Sequence, residues 1–272
     1  MKLAVVTTTF NRPEHFRLFL EALKRQKRLP DEILAADDGS DEPVWEAMRE
    51  MAAASGLPVK WARQPHEGFR AAAARNAAMR LCQSDYVVGA DCDIVLMPEA
   101  LETHERLAER GHVVLANRSI LDEAWTKRLM EAPRPVPEGL WEAAWEASDK
   151  TEIAKAEKVF RKHAILRRLH LVRNHKPKFL SGSCGVWMDD MRRVNGFDEN
   201  FVGWGYEDDD LGRRLHLAGV KPKCGIGAVR AMHIWHPSLA PQGLAHHRER
   251  PNRTYFYRRG VKAFCENGLV KG

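Results

Sequence analysis

Apolar residues along the first hundred positions fall into short blocks separated by polar turns, and the blocks alternate between two periods. Leu3-Ala4-Val5-Val6 is a continuous apolar run and predicts a buried strand, closed by Thr7-Thr8-Thr9 and Pro13. Phe16, Phe19, Leu20 and Leu23 then recur at helical spacing over 14–27. Residues 32–36 predict a second strand, stopped by Asp37-Asp38-Gly39-Ser40. Residues 42–54 predict a helix, 58–62 a short strand, 71–82 an Ala-rich helix and 85–90 a fourth strand. This alternation predicts an α/β fold with a Rossmann-like half, its mostly parallel sheet covered on both faces. Right-handed crossovers then bring the strand C-termini, and the chemistry they carry, to one edge.

After Pro98 the pattern changes. Residues 98–110 predict a helix, 113–116 a strand and 133–139 a Pro-rich break, while 141–172 are helical and increasingly basic. From Phe179 onward the chain reads as short strands, glycines and one helix near 207–218. The expected organisation is one continuous α/β domain with halves at 1–97 and 98–272. The second half carries a basic helical insert at 120–178.

Composition narrows the classes. A 272-residue chain that is 44% apolar and 29% charged buries a sizeable core, which excludes a disordered or fibrous chain. No stretch approaches the roughly 20 apolar residues that cross a bilayer. The run at Leu3–Val6 is too short for a signal peptide, so a cytoplasmic location is expected. Five scattered cysteines without a Cys-x-x-Cys pair argue against a disulfide framework or a thiolate zinc site. The net charge of +6 is unevenly spread: 151–178 carries +7 and 246–262 carries +5, which leaves −6 on the rest. Two basic segments on an acidic body imply an anionic partner.

Three loops that follow predicted strands hold the candidate chemistry. The first, Thr8-Thr9-Phe10-Asn11-Arg12, and the second, Asp37-Asp38-Gly39-Ser40, offer hydroxyls, amides and carboxylates for a base or ribose. The third, Asp91-Cys92-Asp93, places two acids directly after a buried strand, where hard oxygen ligands suit Mg²⁺ or Mn²⁺ bridging a diphosphate. A second concentration is Gly203-Trp204-Gly205-Tyr206-Glu207-Asp208-Asp209-Asp210. Capping explains one acid at a helix start but not four, and such crowding raises at least one pKa, as a general base requires. Downstream, His233 and His236 supply imidazoles that could join carboxylates around Mn²⁺.

With these residues in view, the chain resembles family 2 glycosyltransferases of the GT-A fold. Its second half resembles the acceptor region shared by chondroitin-polymerase, β-1,4-galactosyltransferase and polypeptide N-acetylgalactosaminyltransferase enzymes. The resembling segments are 5–12, 33–41, 68–76, 91–93, 182–201, 203–215 and 233–236. The resemblance implies that Thr8, Thr9, Asn11 and Arg12 line the nucleotide pocket and that Asp37 or Asp38 contacts uracil or ribose. Arg75 and Asn76 are implied near the diphosphate and metal. Asp93 is implied as principal metal ligand, with Asp91 nearer the ribose or donor sugar and also within reach of the metal. His233 is the first choice for a further ligand and His236 the alternative. Trp204 and Tyr206 are implied at the sugar site, Glu207 at the acceptor and Asp208 as base; the family usually has Gly where Tyr206 stands.

The expected activity is that of an inverting transferase that uses Mn²⁺ or Mg²⁺. It moves sugar from a UDP-sugar of galactose, glucose or N-acetylhexosamine type to a glycan or lipid-linked glycan, in surface polysaccharide or lipopolysaccharide synthesis. The basic segment 151–178 adds the expectation of peripheral contact with an anionic membrane on its cytoplasmic face. A sugar-nucleotide pyrophosphorylase would be expected to carry a Gly-rich phosphate loop after the first strand, where this chain is Thr-rich. A nucleic-acid-binding protein would interleave aromatic residues with its basic segments, and no such pattern or motif occurs, so no nucleic-acid partner is expected.

Overall fold

The computed structural model describes residues 1–171, 179, 182–237 and 251–271. Strands β1 (Leu3–Thr9), β2 (Glu32–Asp37), β3 (Val59–Arg63) and β4 (Tyr86–Gly89) form the parallel part of a seven-stranded sheet. Helices α1 (Pro13–Lys24), α2 (Glu42–Ser55) and α3 (Ala71–Met79) are the crossovers. Pro13 opens α1, where a missing N–H costs nothing. Successive β1 residues serve opposite faces: Leu3 and Val5 pack with Phe16, Phe19 and Trp45, whereas Ala4 and Val6 pack with Ala72, Ala78 and Met79. Burial on both faces explains why these strands read as continuous apolar runs rather than alternating ones.

The second half extends the sheet and adds a small one. After β5 (Ile94–Leu96) and α4 (Ala100–Leu107) come β6 (His112–Leu115), β7 (Ser119–Ile120) and α5 (Glu123–Met130). Helices α6 (Glu138–Ala147) and α7 (Thr151–Arg168), strand β8 (Gly185–Trp187) and helices α8 (Met188–Arg193) and α9 (Glu207–Leu217) follow. Strands β9 (Lys221–Cys224) and β10 (Ala231–His233) and helix α10 (Pro251–Phe256) complete the described elements. In the large sheet β8 lies antiparallel between β4 and β6, and β6 runs parallel to β9, giving the order β3-β2-β1-β4-β8-β6-β9. The expected mostly parallel α/β architecture is therefore present.

The small sheet has the order β5-β10-β7. It positions chemistry directly: Ile94 and Ile120 both lie opposite His233, and the Ile234 N–H donates to the Asp93 carbonyl at 2.9 Å.

One expected element is divided. The helical stretch at 141–172 is two helices, because Asp149 exchanges both backbone hydrogen bonds with Ile120 and pulls the chain out of helical geometry. Lys150 donates to the Trp145 carbonyl at 2.7 Å, and the Asp149 carboxylate accepts from the Thr151 N–H at 2.8 Å. These bonds satisfy the end of α6 and the start of α7. Helix α6 buries Trp141, Ala144 and Trp145, whereas α7 buries no residue fully. The last part of the basic segment, 172–178, lies outside the described residues, as do 246–250 of the second one.

The C-terminal segment is tied to the body through Asn195. The Asn195 amide donates to the carbonyls of Cys265 (2.7 Å) and Val270 (2.8 Å), and its oxygen accepts from the Val270 N–H (2.7 Å). No helix among the described residues is long and apolar enough to cross a membrane.

Candidate functional site

Parallel register brings the three loops together. Thr9 lies opposite Asp37, Val6 opposite Gly89, and the Cys92 N–H donates to the Thr8 carbonyl. The first two loops bind mainly each other. Asn11 accepts from the Asp41 N–H at 2.9 Å and donates to its carboxylate at 3.2 Å. Asp37 is fully buried, accepts from the Ser40 N–H and hydroxyl, and pairs with Arg63 at 3.3 Å. Asp38 accepts from the Gln64 amide and from the Arg70 N–H. Thr9 is buried with its hydroxyl at the Met48 sulfur.

The ring surface at this edge is a pair the sequence reading did not single out: Phe10 and His66 stack with centroids 4.1 Å apart, 7° from parallel. Gly39 permits this approach, since its φ is +80° and a Cβ there would stand 2.3 Å from the His66 nitrogen. Only the fold joins residues 10 and 66, so no local signal marks them.

The acid centre is built around Arg75, a buried residue of α3. Its guanidinium makes two 3.1 Å hydrogen bonds to Asp91, whose carboxylate also accepts from the Thr8 hydroxyl at 3.1 Å. The same guanidinium reaches Glu207 at 3.5 Å and Asp208 at 3.8 Å. Burial opposes the charge of Arg75, but Asp91, Asp208 and Glu207 more than compensate and hold it protonated. Asn76 turns elsewhere: its amide bonds both backbone groups of Phe197 and the Glu199 carboxylate.

The four acids at the start of α9 divide their partners. Asp210 is fully buried and meets Arg214 at 2.6 Å, Arg213 at 3.0 Å and Arg258 at 3.3 Å. Glu207 and Asp208 face Arg75 instead. Burial first, and then the charge of Asp208, push the Glu207 carboxyl up to about 7, and one of its oxygens is buried without a hydrogen bond. Burial is the larger cause, and the crowding inferred from sequence comes second to it.

The loop before α9 turns through left-handed backbone at Gly203, Gly205 and Tyr206, the last at φ +73°. That geometry accounts for glycine as the usual family residue at Tyr206; a non-glycine residue there carries about 1–3 kcal/mol of strain. Tyr206 packs on Phe256 of α10 with centroids 5.3 Å apart, and Asn252 donates to the Gly203 and Gly205 carbonyls. Trp204 lies at the exposed rim.

A second centre stands at Asp93. His236 Nε2 lies 3.0 Å and His233 Nε2 3.8 Å from Asp93 Oδ2, and ligand atoms of all three residues lie within 4.8 Å of one another. The His236 Nδ1 is 2.8 Å from the Pro237 carbonyl, which can only accept, so Nδ1 carries a proton and Nε2 is the coordinating atom. Burial alone would raise the Asp93 carboxyl, but His236, His233 and Arg12 bring it below its ordinary value. Burial lowers His233 and keeps that imidazole neutral, as a ligand must be. One carboxylate and two imidazoles form a donor set that fits a divalent transition-series cation. Asp91, held by Arg75 and Thr8, is not part of this cluster. His15 and Trp235 adjoin it: His15 Nε2 meets the Trp235 carbonyl at 3.2 Å, and its ring lies 6.2 Å from His236.

Comparison with known proteins gives a consistent result. The sequence model of the family described as glycosyl transferase family 2 matches residues 4–174, and the one described as the N-terminal domain of galactosyltransferase matches 163–236. Chondroitin synthase of Escherichia coli is 29% identical over 240 residues, which are 84% of this chain and 34% of that protein. Across five bacterial relatives matched over 80% or more of its length, the chain spans 23 to 52% of theirs. Among solved structures, S. aureus TarS 1–349 in complex with UDP has a TM-score of 0.58 at 16% identity, covering 87% of this chain and 61% of that one. The mannosyltransferase PcManGT from Pyrobaculum calidifontis, in complex with GDP-Man and Mn²⁺, has a TM-score of 0.56 at 16% identity, covering 90% and 59%. These structural likenesses are likenesses of fold.

The raised Glu207 carboxyl makes stability depend on pH. Its folded pKa of about 7 exceeds the ordinary 4.5, so its contribution is intact below pH 4.5 and is lost as pH rises through 7. Glu207→Gln cannot ionise and escapes that loss. Thermal unfolding of the two proteins should diverge in favour of Glu207→Gln between pH 4.5 and 8, by about 3 kcal/mol at the upper end. A constant difference across that range would contradict the burial-driven shift.

Proposed function

We propose that this chain, which belongs to glycosyl transferase family 2, is an inverting, divalent-cation-dependent hexosyltransferase. Its donor in this reading is a UDP-sugar of galactose, glucose or N-acetylhexosamine type. Its acceptor is a hydroxyl of a glycan or lipid-linked glycan, in surface polysaccharide or lipopolysaccharide synthesis. One observation carries the reading: Asp93 of the carboxylate–imidazole cluster stands two residues from Asp91, which is bonded to the buried Arg75 guanidinium that also faces Glu207 and Asp208.

In this mechanism Asp93, His233 and His236 hold the cation, and two imidazoles in the set favour Mn²⁺ over the oxygen-seeking Mg²⁺. The bound cation supplies Lewis-acid neutralisation of the leaving diphosphate. Asp208, partly exposed and 3.8 Å from the Arg75 guanidinium, takes the proton of the acceptor hydroxyl. Glu207 carries a proton near neutral pH and can donate a hydrogen bond to the acceptor. Attack opposite the diphosphate inverts the anomeric carbon. Thr8 and Arg12 border the diphosphate, the Phe10–His66 pair offers a ring surface to the base beside Asp38, and Trp204 and Tyr206 flank the sugar.

Two variants test the reading. The parent protein should show a Mn²⁺-dependent rise in melting temperature with UDP, and Asp93→Ala should abolish it. Asp208→Asn should lower turnover by roughly 10²–10⁴ while leaving donor affinity nearly intact. Undiminished UDP stabilisation in the first, or a change confined to donor KM in the second, would contradict the assignment.

Helix α7 supports the proposed peripheral contact with an anionic membrane. Ile153, Ala156, Phe160 and Ala164 form its half-buried, body-facing stripe. The opposite side exposes Lys155, Lys158 and Lys162 together with Val159, Ile165 and Leu169, the last two about 60% exposed. Arg161 is engaged with Glu157 at 3.2 Å and Lys155 with Glu152 at 2.7 Å, which leaves Lys158 and Lys162 as the lysine charge for lipid. The variant with Lys158→Gln, Lys162→Gln, Ile165→Ser and Leu169→Ser should lose co-sedimentation with vesicles rich in phosphatidylglycerol and keep donor hydrolysis. Equal sedimentation of both proteins would contradict membrane contact.

A further inference from the structure

We infer that Arg118, which lies outside every motif recognised in the sequence, is an anion-binding residue of the donor site that holds the nucleoside-distal phosphate of a nucleoside diphosphate. This rests on the proposed donor class and adds a residue to it.

Arg118 immediately precedes β7, whose Ile120 lies opposite His233 on β10. Side chains alternate along a strand, so residue 118 projects from the same face as Ile120 and His233. Arg118 also lies near enough to His233 for its charge to reach that imidazole. The guanidinium is therefore beside the cation cluster, on the small-sheet side. The nucleoside loops stand at the ends of β1 and β2 in the large sheet, whereas Arg118 adjoins β7, an edge strand of the small sheet.

Its partners are the unusual feature. Half-buried or buried arginines elsewhere meet carboxylates: Arg17 pairs with Glu14 and Glu21, Arg28 with Asp31, Arg63 with Asp37, Arg230 with Glu142. Arg118 has no carboxylate within ion-pair distance among the described residues, and its Nε is buried without a hydrogen bond. Leaving a buried guanidinium donor unmatched is costly, and Arg has no neutral form to retreat to. Arg12, in the loop after β1, likewise has no ion pair among the described residues, and its charge reaches Asp93. Two arginines near a cation site repel the cation unless a multiply charged anion joins them. A diphosphate supplies that charge, and the planar guanidinium fork matches phosphate oxygens. Arg118 belongs to the small sheet and the nucleoside loops to the large one, which assigns Arg118 the phosphate farther from the nucleoside.

Isothermal titration of Arg118→Gln with UDP and with UMP, each with Mn²⁺, tests the assignment. UDP affinity should fall about 10- to 100-fold, with UMP affinity within twofold of the parent protein. Mn²⁺ alone should bind as tightly or more tightly, since a like charge has been removed; a merely structural defect would weaken all three. Arg118→Lys keeps the charge without the fork and should fall between. Unchanged UDP affinity, or equal losses for UDP and UMP, would overturn the inference. An effect seen only with a carboxylate-bearing acceptor would overturn it too, and would transfer Arg118 to the acceptor side. Failure of the parent protein to bind UDP would overturn the donor reading itself.

Discussion

A single buried guanidinium decides how the acidic parts of this protein can coexist. Arg75 joins the loop after β4 to the start of α9, segments more than a hundred residues apart, by bonding Asp91 and facing Glu207 and Asp208. Three carboxylates converge on one positive charge, which cannot compensate all of them. Their side chains are 28%, 12% and 25% exposed for Asp91, Glu207 and Asp208. Water helps the first and third more than the second, so Glu207 is the group driven toward its neutral form. Asp210 escapes the competition because Arg213, Arg214 and Arg258 surround it separately. Three of the four acids thus form two structures, an anchor at Asp210 and a pair at Glu207 and Asp208 that shares Arg75.

The cation cluster depends on a different constraint. Asp93 is fixed by the end of the parallel sheet, and its imidazole partners come from a strand 140 residues later. The three short strands β5, β10 and β7 make that meeting possible through a few backbone bonds, including Ile234 N–H to Asp93 carbonyl. The carboxylate–imidazole cluster therefore rests on main-chain pairing and the Glu207–Asp208 pair on a salt-bridged side chain. Asp91, two residues from Asp93 and bonded to Arg75, links the two along the chain.

Much of this was legible in the sequence, where one residue's environment is set by its neighbours. The apolar runs at 3–6, 32–36 and 85–90 reported strands buried on both faces, and the polar residues after them reported the functional edge. The Asp91–Asp93 spacing and the acidic start of α9 were equally visible. Long-range pairing was not. The β7 and β10 strands, two and three residues long, are too short to show a period. The break between α6 and α7 depends on Asp149 meeting Ile120, and the Phe10–His66 stack on Gly39 letting two loops touch. Asn76 and Asp37 sat within recognised motifs, yet the structure engages them in holding loops. Nothing local distinguishes a motif residue that faces a ligand from one that supports its neighbour.

The most direct measurement is a pH titration of the Glu207 side-chain carboxyl by ¹³C NMR, in the parent protein and in Arg75→Gln. If one guanidinium balances the three acids, Glu207 titrates near 7 in the parent protein and higher still in the variant, which lacks the charge that favours its ionised form. Titration near the ordinary value of 4.5, or an identical midpoint in both proteins, would contradict the account.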